Sequence, residues 1–132
     1  MNNLNKIAIG TAQFGMDYGI ANNKGQVSSD EIKEILNLAW DSGIYTLDTA
    51  KCYGASEESI GKYLNQYPDT KWDIITKLSN KELNVFNQVK DSTKKLKATP
   101  HAVLAHSSDI YLNNQFQFEI KNAIENRLLF KT

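Results

Sequence analysis

Asp48, Lys77 and His106 each close a short aliphatic run, and each follows the last by 29 residues. The runs occupy residues 43–48 (GIYTLD), 73–77 (DIITK) and 102–106 (AVLAH), and a fourth of the same kind stands at 6–10 (KIAIG). None alternates cleanly between apolar and polar residues, which predicts strands covered on both faces, as in a parallel sheet. Parallel strands need a long crossover between them, usually a helix, and a (β/α)8 barrel of about 250 residues devotes roughly 31 to each unit. The spacing therefore predicts βα units in series, and 132 residues hold four of them. The expected architecture is a single α/β domain over residues 1–132, a parallel (β/α)4 half of a TIM barrel ending after its fourth helix.

The intervening segments carry helical period. Ile32, Ile35, Leu36, Ala39 and Trp40 recur at i, i+3, i+4, i+7 and i+8, behind a capping-box pair, Ser28 and Glu31. Gly43 marks that helix's stop. Ile60, Tyr63, Leu64 and Tyr67 define a second helix, with Ser56 as candidate N-cap and Pro68 beyond its end. Leu83, Phe86, Val89 and Leu96 define a third that stops before Pro100, and Phe116, Ile120, Ala123, Ile124 and Leu128 a fourth.

Composition narrows the partners. Fifteen basic residues balance fifteen acidic ones, so the chain has no basic footprint for nucleic acid. Its one cysteine, Cys52, excludes an internal disulfide framework and multi-cysteine metal sites, and no metal site is expected. No apolar stretch approaches a membrane span or a secretory leader, which predicts a soluble, cytoplasmic protein without membrane contact.

In a barrel of this type the active site lies at the carboxyl ends of the strands, where Asp48, Lys77 and His106 fall, with Tyr53 in the loop after Asp48. Each residue alone also fits a structural role, as an ion-paired lysine or a packed histidine. Several neighbours read as ordinary: Lys51 as a loop lysine that could meet an acidic substrate but is more simply solvated, and Cys52 as a rim residue with no histidine near it in sequence. Glu57 and Glu58 read as first-turn carboxylates of a helix, and His101 as a residue of the opposite, stabilising end. The two glycines of Gly10-Thr11-Ala12-Gln13-Phe14-Gly15 make no dinucleotide fingerprint.

The stretch from Asp48 to Gly61 reads D-T-A-x-x-Y-G-x-S-E-x-x-I-G, preceded by Gly10-Thr11 and Gly43-Ile44 and followed by Thr76-Lys77, Ser92, Leu96 and Leu104-Ala105-His106. In these motifs and their order the chain resembles the aldo-keto reductase family. The resemblance implies reduction of an aldehyde or ketone with a reduced nicotinamide cofactor, NADP or NAD. It makes Tyr53 the general acid, Lys77 (held by Asp48) the cation favouring the phenol's ionised form, and His106 the group that directs the carbonyl. It also places Gly10, Thr11 and Asp48 at the cofactor.

In barrels of this class the phosphate site commonly lies after strands seven and eight, beyond the four units present. Two readings follow: a carbonyl reductase completed by further chain or a second polypeptide, or a non-catalytic remnant. Four strands also leave two open edges, and Ile7, Ile9, Ile44, Leu47, Ile74, Ile75, Val103 and Leu104 supply apolar side chains to the two sheet faces. Association through these edges is expected, with closure as a homodimer its least costly form.

Overall fold

A computed structural model of the protein describes residues 6–79 and 84–125. The order is β1 (Ala8–Gly10), α1 (Ala12–Gly15), α2 (Ser29–Asp41), β2 (Thr46–Asp48), α3 (Ser56–Gln66), β3 (Asp73–Leu78), α4 (Val85–Leu96), β4 (Ala102–Ala105), α5 (Ser108–Tyr111) and α6 (Asn114–Glu125). The strands form one sheet in the order β1-β2-β3-β4, and every pairing is parallel. Each aliphatic run thus becomes a strand and each periodic segment a helix. Two one-turn helices, α1 and α5, carry no periodic signal because four residues are too few to show one. Leu83 and Leu128 lie outside the described residues.

Local chemistry sets the helix ends. The Ser28 side chain accepts from the Glu31 amide while Glu31 Oε2 accepts from the Ser28 amide, the expected capping box. Gly43 follows α2 at φ +82°, a left-handed turn glycine adopts without penalty, and lets the Ile44 amide reach back to the Ala39 carbonyl at 2.9 Å. Ser56 departs from expectation. Ala55 is the N-cap of α3, and Ser56 opens the helix with its hydroxyl turned inward onto the Thr11 carbonyl.

Alternation along the strands divides the sheet into two faces. Ile9, Leu47 and Ile74 pack with Phe14, Ile32, Leu36, Ile60, Tyr63 and Leu96, and Leu78, Val103 and Ala105 pack with Val85, Ile110, Phe116 and Ala123. Fully burying such side chains contributes about 1.5–3 kcal/mol each. The opposite face carries Gly10, Asp48, Ile75, Lys77 and Leu104. Of the eight aliphatic residues assigned to the two faces from sequence, only Ile75 and Leu104 lie on this one within the strands, Leu104 being 48% exposed. The open face is therefore less apolar than the sequence alone implied, because half the candidates are in phase with the helices.

α4 corrects the periodic reading as well. Val85, Gln88, Ser92 and Leu96 form its buried stripe, whereas Phe86 is 40% exposed. Gln88 is fully buried because its amide clasps the end of β3, accepting from the Ser79 amide at 2.8 Å and donating to the Ser79 carbonyl at 3.0 Å. A scan for apolar period passes over such a residue. α4 sits directly on α3 at Gly61, where a Cβ would lie 2.0 Å from the Lys95 carbonyl oxygen.

Candidate active site

Asp48 closes β2, Lys77 is the penultimate residue of β3, and His106 follows β4 by one residue. Asp48 pairs with Ile75, and Lys77 with Leu104, so each site residue stands two positions beyond its neighbour's level. A two-residue offset preserves side-chain phase, so the three fall on one face. The Lys77 ammonium has three donors, and three acceptors surround it: Asp48 Oδ1 at 2.7 Å, the Thr49 carbonyl at 2.9 Å and Tyr53 Oη at 3.4 Å. The same nitrogen lies 5.0 Å from the Tyr53 ring centroid. The His106 ring also meets that ring, edge to face, with centroids 6.0 Å apart. The four residues singled out from sequence thus meet at one rim.

The loop that carries Tyr53 is held from beneath by buried hydroxyls. Thr11, Thr49 and Ser56 are each fully buried. Ser56 Oγ lies 2.9 Å from the Thr11 carbonyl and 3.0 Å from Thr49 Oγ1, and Thr11 Oγ1 donates to the Asp48 carbonyl at 3.0 Å. Backbone bonds complete the seat: the Thr49 amide donates to the Ile75 carbonyl and the Lys51 amide to the Lys77 carbonyl. A satisfied buried network of this kind fixes side-chain positions more firmly than apolar packing alone.

Three neighbours take roles that sequence did not disclose. Cys52 Sγ lies 3.4 Å from His106 Nδ1, a contact across 54 positions of sequence. Glu57, read as a first-turn carboxylate, is only 3% exposed and accepts from Thr76 Oγ1 at 2.7 Å, which bolts α3 to β3 next to Lys77. Lys51, read as a solvated loop lysine, is 13% exposed and ion-paired with Asp91 on α4. No local pattern signals these three, since each partner belongs to a distant element.

The Lys51–Asp91 pair predicts a pH response. The hydrogen bond from Lys51, joined by the charges of Lys51 and Lys95, holds the Asp91 carboxyl below its usual range. A carboxyl depressed on folding adds stability above its unfolded value of about 3.9, and that stability is lost as pH falls through the lower folded value. Asp91→Asn is therefore expected to lower the urea midpoint near neutrality and to converge on the parent at strongly acid pH. A gap that stayed constant with pH would show that the pair contributes nothing.

Gly10 and Asp48, two of the residues that the family resemblance places at a cofactor, pair across β1 and β2. A Cβ at Gly10 would meet nothing within 4 Å, and the Asp48 side chain is 37% exposed with Oδ1 engaged by Lys77. An exposed carboxylate beside open surface suits a ribose hydroxyl. Thr11, by contrast, is buried and faces the helices, with its hydroxyl engaged by the Asp48 carbonyl. Both lysines described at this rim are already engaged, Lys77 by Asp48, the Thr49 carbonyl and Tyr53, and Lys51 by Asp91.

Comparison with known proteins bears on this arrangement. The family model described as the aldo/keto reductase family matches residues 6–126. The chain is 37% identical over 75 residues to a D-threo-aldose 1-dehydrogenase of a Pseudomonas species, a match covering 53% of this chain and 23% of that protein. It is 42% identical over 48 residues to a Schizosaccharomyces pombe protein named as an aryl-alcohol dehydrogenase, covering 35% of this chain and 14% of the other. A solved Pseudomonas aeruginosa structure classed among the aldo-keto reductases superposes with a TM-score of 0.74 at 28% identity, over 92% of this chain and 51% of that one. The thermostable aldo-keto reductase Tm1743, at 20% identity and a TM-score of 0.68, shares the fold, and 45% of its chain is covered. The four βα units correspond to about half of a TIM barrel, and the chain spans about half the length of its solved relatives. Because the family match runs through every strand and helix described above, the chain belongs to the aldo/keto reductase family.

Proposed function

We propose that this chain supplies the catalytic rim of an oxidoreductase that reduces an aldehyde or ketone to an alcohol, with Tyr53 as general acid. The observation that carries the reading is the Lys77 ammonium, bonded to Asp48 and the Thr49 carbonyl and facing Tyr53 Oη at 3.4 Å. The substrate carbonyl oxygen sits between Tyr53 Oη and the His106 ring, which orients it through a nitrogen. As the carbonyl carbon is reduced, charge builds on that oxygen and the Tyr53 proton transfers to it. The phenolate left behind forms next to a cation already in place, which is where preorganised charge lowers a barrier most. A reduced nicotinamide cofactor, NADPH or NADH, would supply the hydride when bound, since no side chain can donate one. Asp48 and the surface beside Gly10 would hold its ribose, and Thr11 would act there through the Asp48 carbonyl. Relatives named as dehydrogenases of an aldose and of aryl alcohols support an oxidoreductase acting on carbonyl–alcohol pairs.

In a barrel-complete form, Tyr53→Phe is expected to lower turnover by about two to four orders of magnitude, the usual worth of a general acid. Fluorescence titration should meanwhile show unchanged affinity for reduced nicotinamide. Near-parental turnover in that variant would remove Tyr53 from the general-acid role, whereas a barrel-complete parent with no turnover at all would favour the other reading, a fold that keeps the motifs without the activity.

The reading also requires that a second (β/α)4 unit close the sheet, from the same polypeptide or from another copy. Among the described residues β1 and β4 are the edge strands of the sheet, and an edge strand is a strong template for further pairing. The isolated 132-residue chain is accordingly expected to sediment as a dimer at micromolar concentration. A stable monomer would show that its edges are covered in some other way.

A further inference from the structure

We infer that Gly15 is a positioning residue for Tyr53, acting through a backbone contact that only glycine permits; the inference rests on the reading of Tyr53 as general acid. Gly15 ends α1, and a Cβ placed on it would lie 1.9 Å from the Tyr53 carbonyl oxygen, 2.2 Å from the Ser56 amide nitrogen and 2.7 Å from that of Ala55. The contact is reciprocal. Gly54, at φ +55°, would bring a Cβ to 2.2 Å from the Gly15 carbonyl oxygen, and that oxygen accepts from the Ala55 amide at 3.1 Å. Two glycines thus let the end of α1 lie directly against the backbone from the Tyr53 carbonyl to the Ser56 amide.

Conformation does not demand glycine at position 15, whose φ lies outside the left-handed region, so the requirement is space alone. The α1 side is the less able to yield. Phe14 is buried in the main core, its carbonyl accepts from Gln26 Nε2 and Ser59 Oγ, and the Gln13 carbonyl accepts from the Val27 amide. An alanine at 15 must therefore push the Tyr53 loop. Real Cβ contacts essentially never fall below 3.0 Å, so the Tyr53 carbonyl has to retreat by about 1 Å. The phenol is already 3.4 Å from Lys77, at the outer reach of a hydrogen bond, and a shift of that size changes their geometry. Misplacement of a reacting group by 1 Å can lower a rate by about 10²-fold.

The test compares Gly15→Ala with Gly61→Ala, whose Cβ meets a backbone carbonyl just as closely but on α4 rather than on the Tyr53 loop. The full 132-residue chain is labelled with ¹³Cζ-tyrosine, and the Tyr53 resonance is assigned with Tyr53→Phe. In Gly15→Ala the Tyr53 line is expected to move, and the nuclear Overhauser contact between its ring and the Lys77 side chain to vanish, while Tyr63 and Tyr67 stay in place. Gly61→Ala should lose stability and keep both Tyr53 signatures. The inference is overturned if folded Gly15→Ala retains the parental line and contact, or if Gly61→Ala moves them equally. If Gly15→Ala is unfolded in buffer, spectra are taken in sucrose, which favours the compact state; a variant still unfolded there would assign Gly15 to the fold as a whole and overturn the inference too. The measurement needs no turnover, so its failure is distinguishable from a failure of Tyr53→Phe to affect activity.

Discussion

Replacing Lys77 by Met in a barrel-complete protein is expected to lower turnover by about 10²–10³, the effect of removing one preorganised donor from a site of developing charge. Methionine preserves the apolar stem and removes the ammonium that joins Asp48, the Thr49 carbonyl and Tyr53. The phenolate would then form with no cation beside it. Loss of the fold is not the expected cause, because the Asp48 side chain left behind is 37% exposed and solvent screens it. Circular dichroism and the urea midpoint of the variant should therefore stay close to the parent. Asp48→Asn should cost less, since Lys77 keeps its charge and its bond to the Thr49 carbonyl. If both variants turned over at the parental rate, the electrostatic role of the pair would be refuted.

Gly61→Ala carries the largest expected effect on stability. In an ordinary exposed helix interior, alanine is preferred to glycine by about 0.5–1 kcal/mol. Here the sign reverses. The added Cβ would stand 2.0 Å from the Lys95 carbonyl oxygen and 3.1 Å from the Leu96 carbonyl carbon, so α3 and α4 must part. Overpacking of this kind costs about 1–3 kcal/mol and occasionally more. The gap would also loosen Ile60 and Leu96, two fully buried members of the main core. At several degrees per kcal/mol for a domain of this size, the melting temperature should fall by roughly 5–15 °C. An unchanged or raised midpoint would mean that the helices separate at no cost.

Much of this arrangement is legible in the chain itself. The 29-residue spacing of Asp48, Lys77 and His106 announces βα units, and parallel strands joined by helices are their consequence. The capping box at Ser28 and Glu31 and the stop at Gly43 are local devices, readable because both partners lie within one turn of each other. The residue types at the rim follow from strand ends, while the roles assigned to them came through resemblance to a family.

What tertiary structure alone decided has a common cause: it depends on partners far apart in sequence or on the phase of a strand. Period-2 alternation says that neighbouring residues face opposite ways but not which face the helices cover, so Leu47 and Ile74 enter the core while Ile75 and Leu104 are left on the open side. Gln88 is buried by the hydrogen bonds it makes to Ser79, which an apolar pattern cannot register. Lys51 with Asp91, Cys52 with His106 and Glu57 with Thr76 are meetings between separate elements, invisible to any local window. In the sequence Gly15 looks like any other glycine, and Gly61 is only the last position of a motif. Only the packed chain shows that one lets the Tyr53 loop seat against α1 and the other lets two helices touch, because steric exclusion acts between backbones that the sequence does not place side by side.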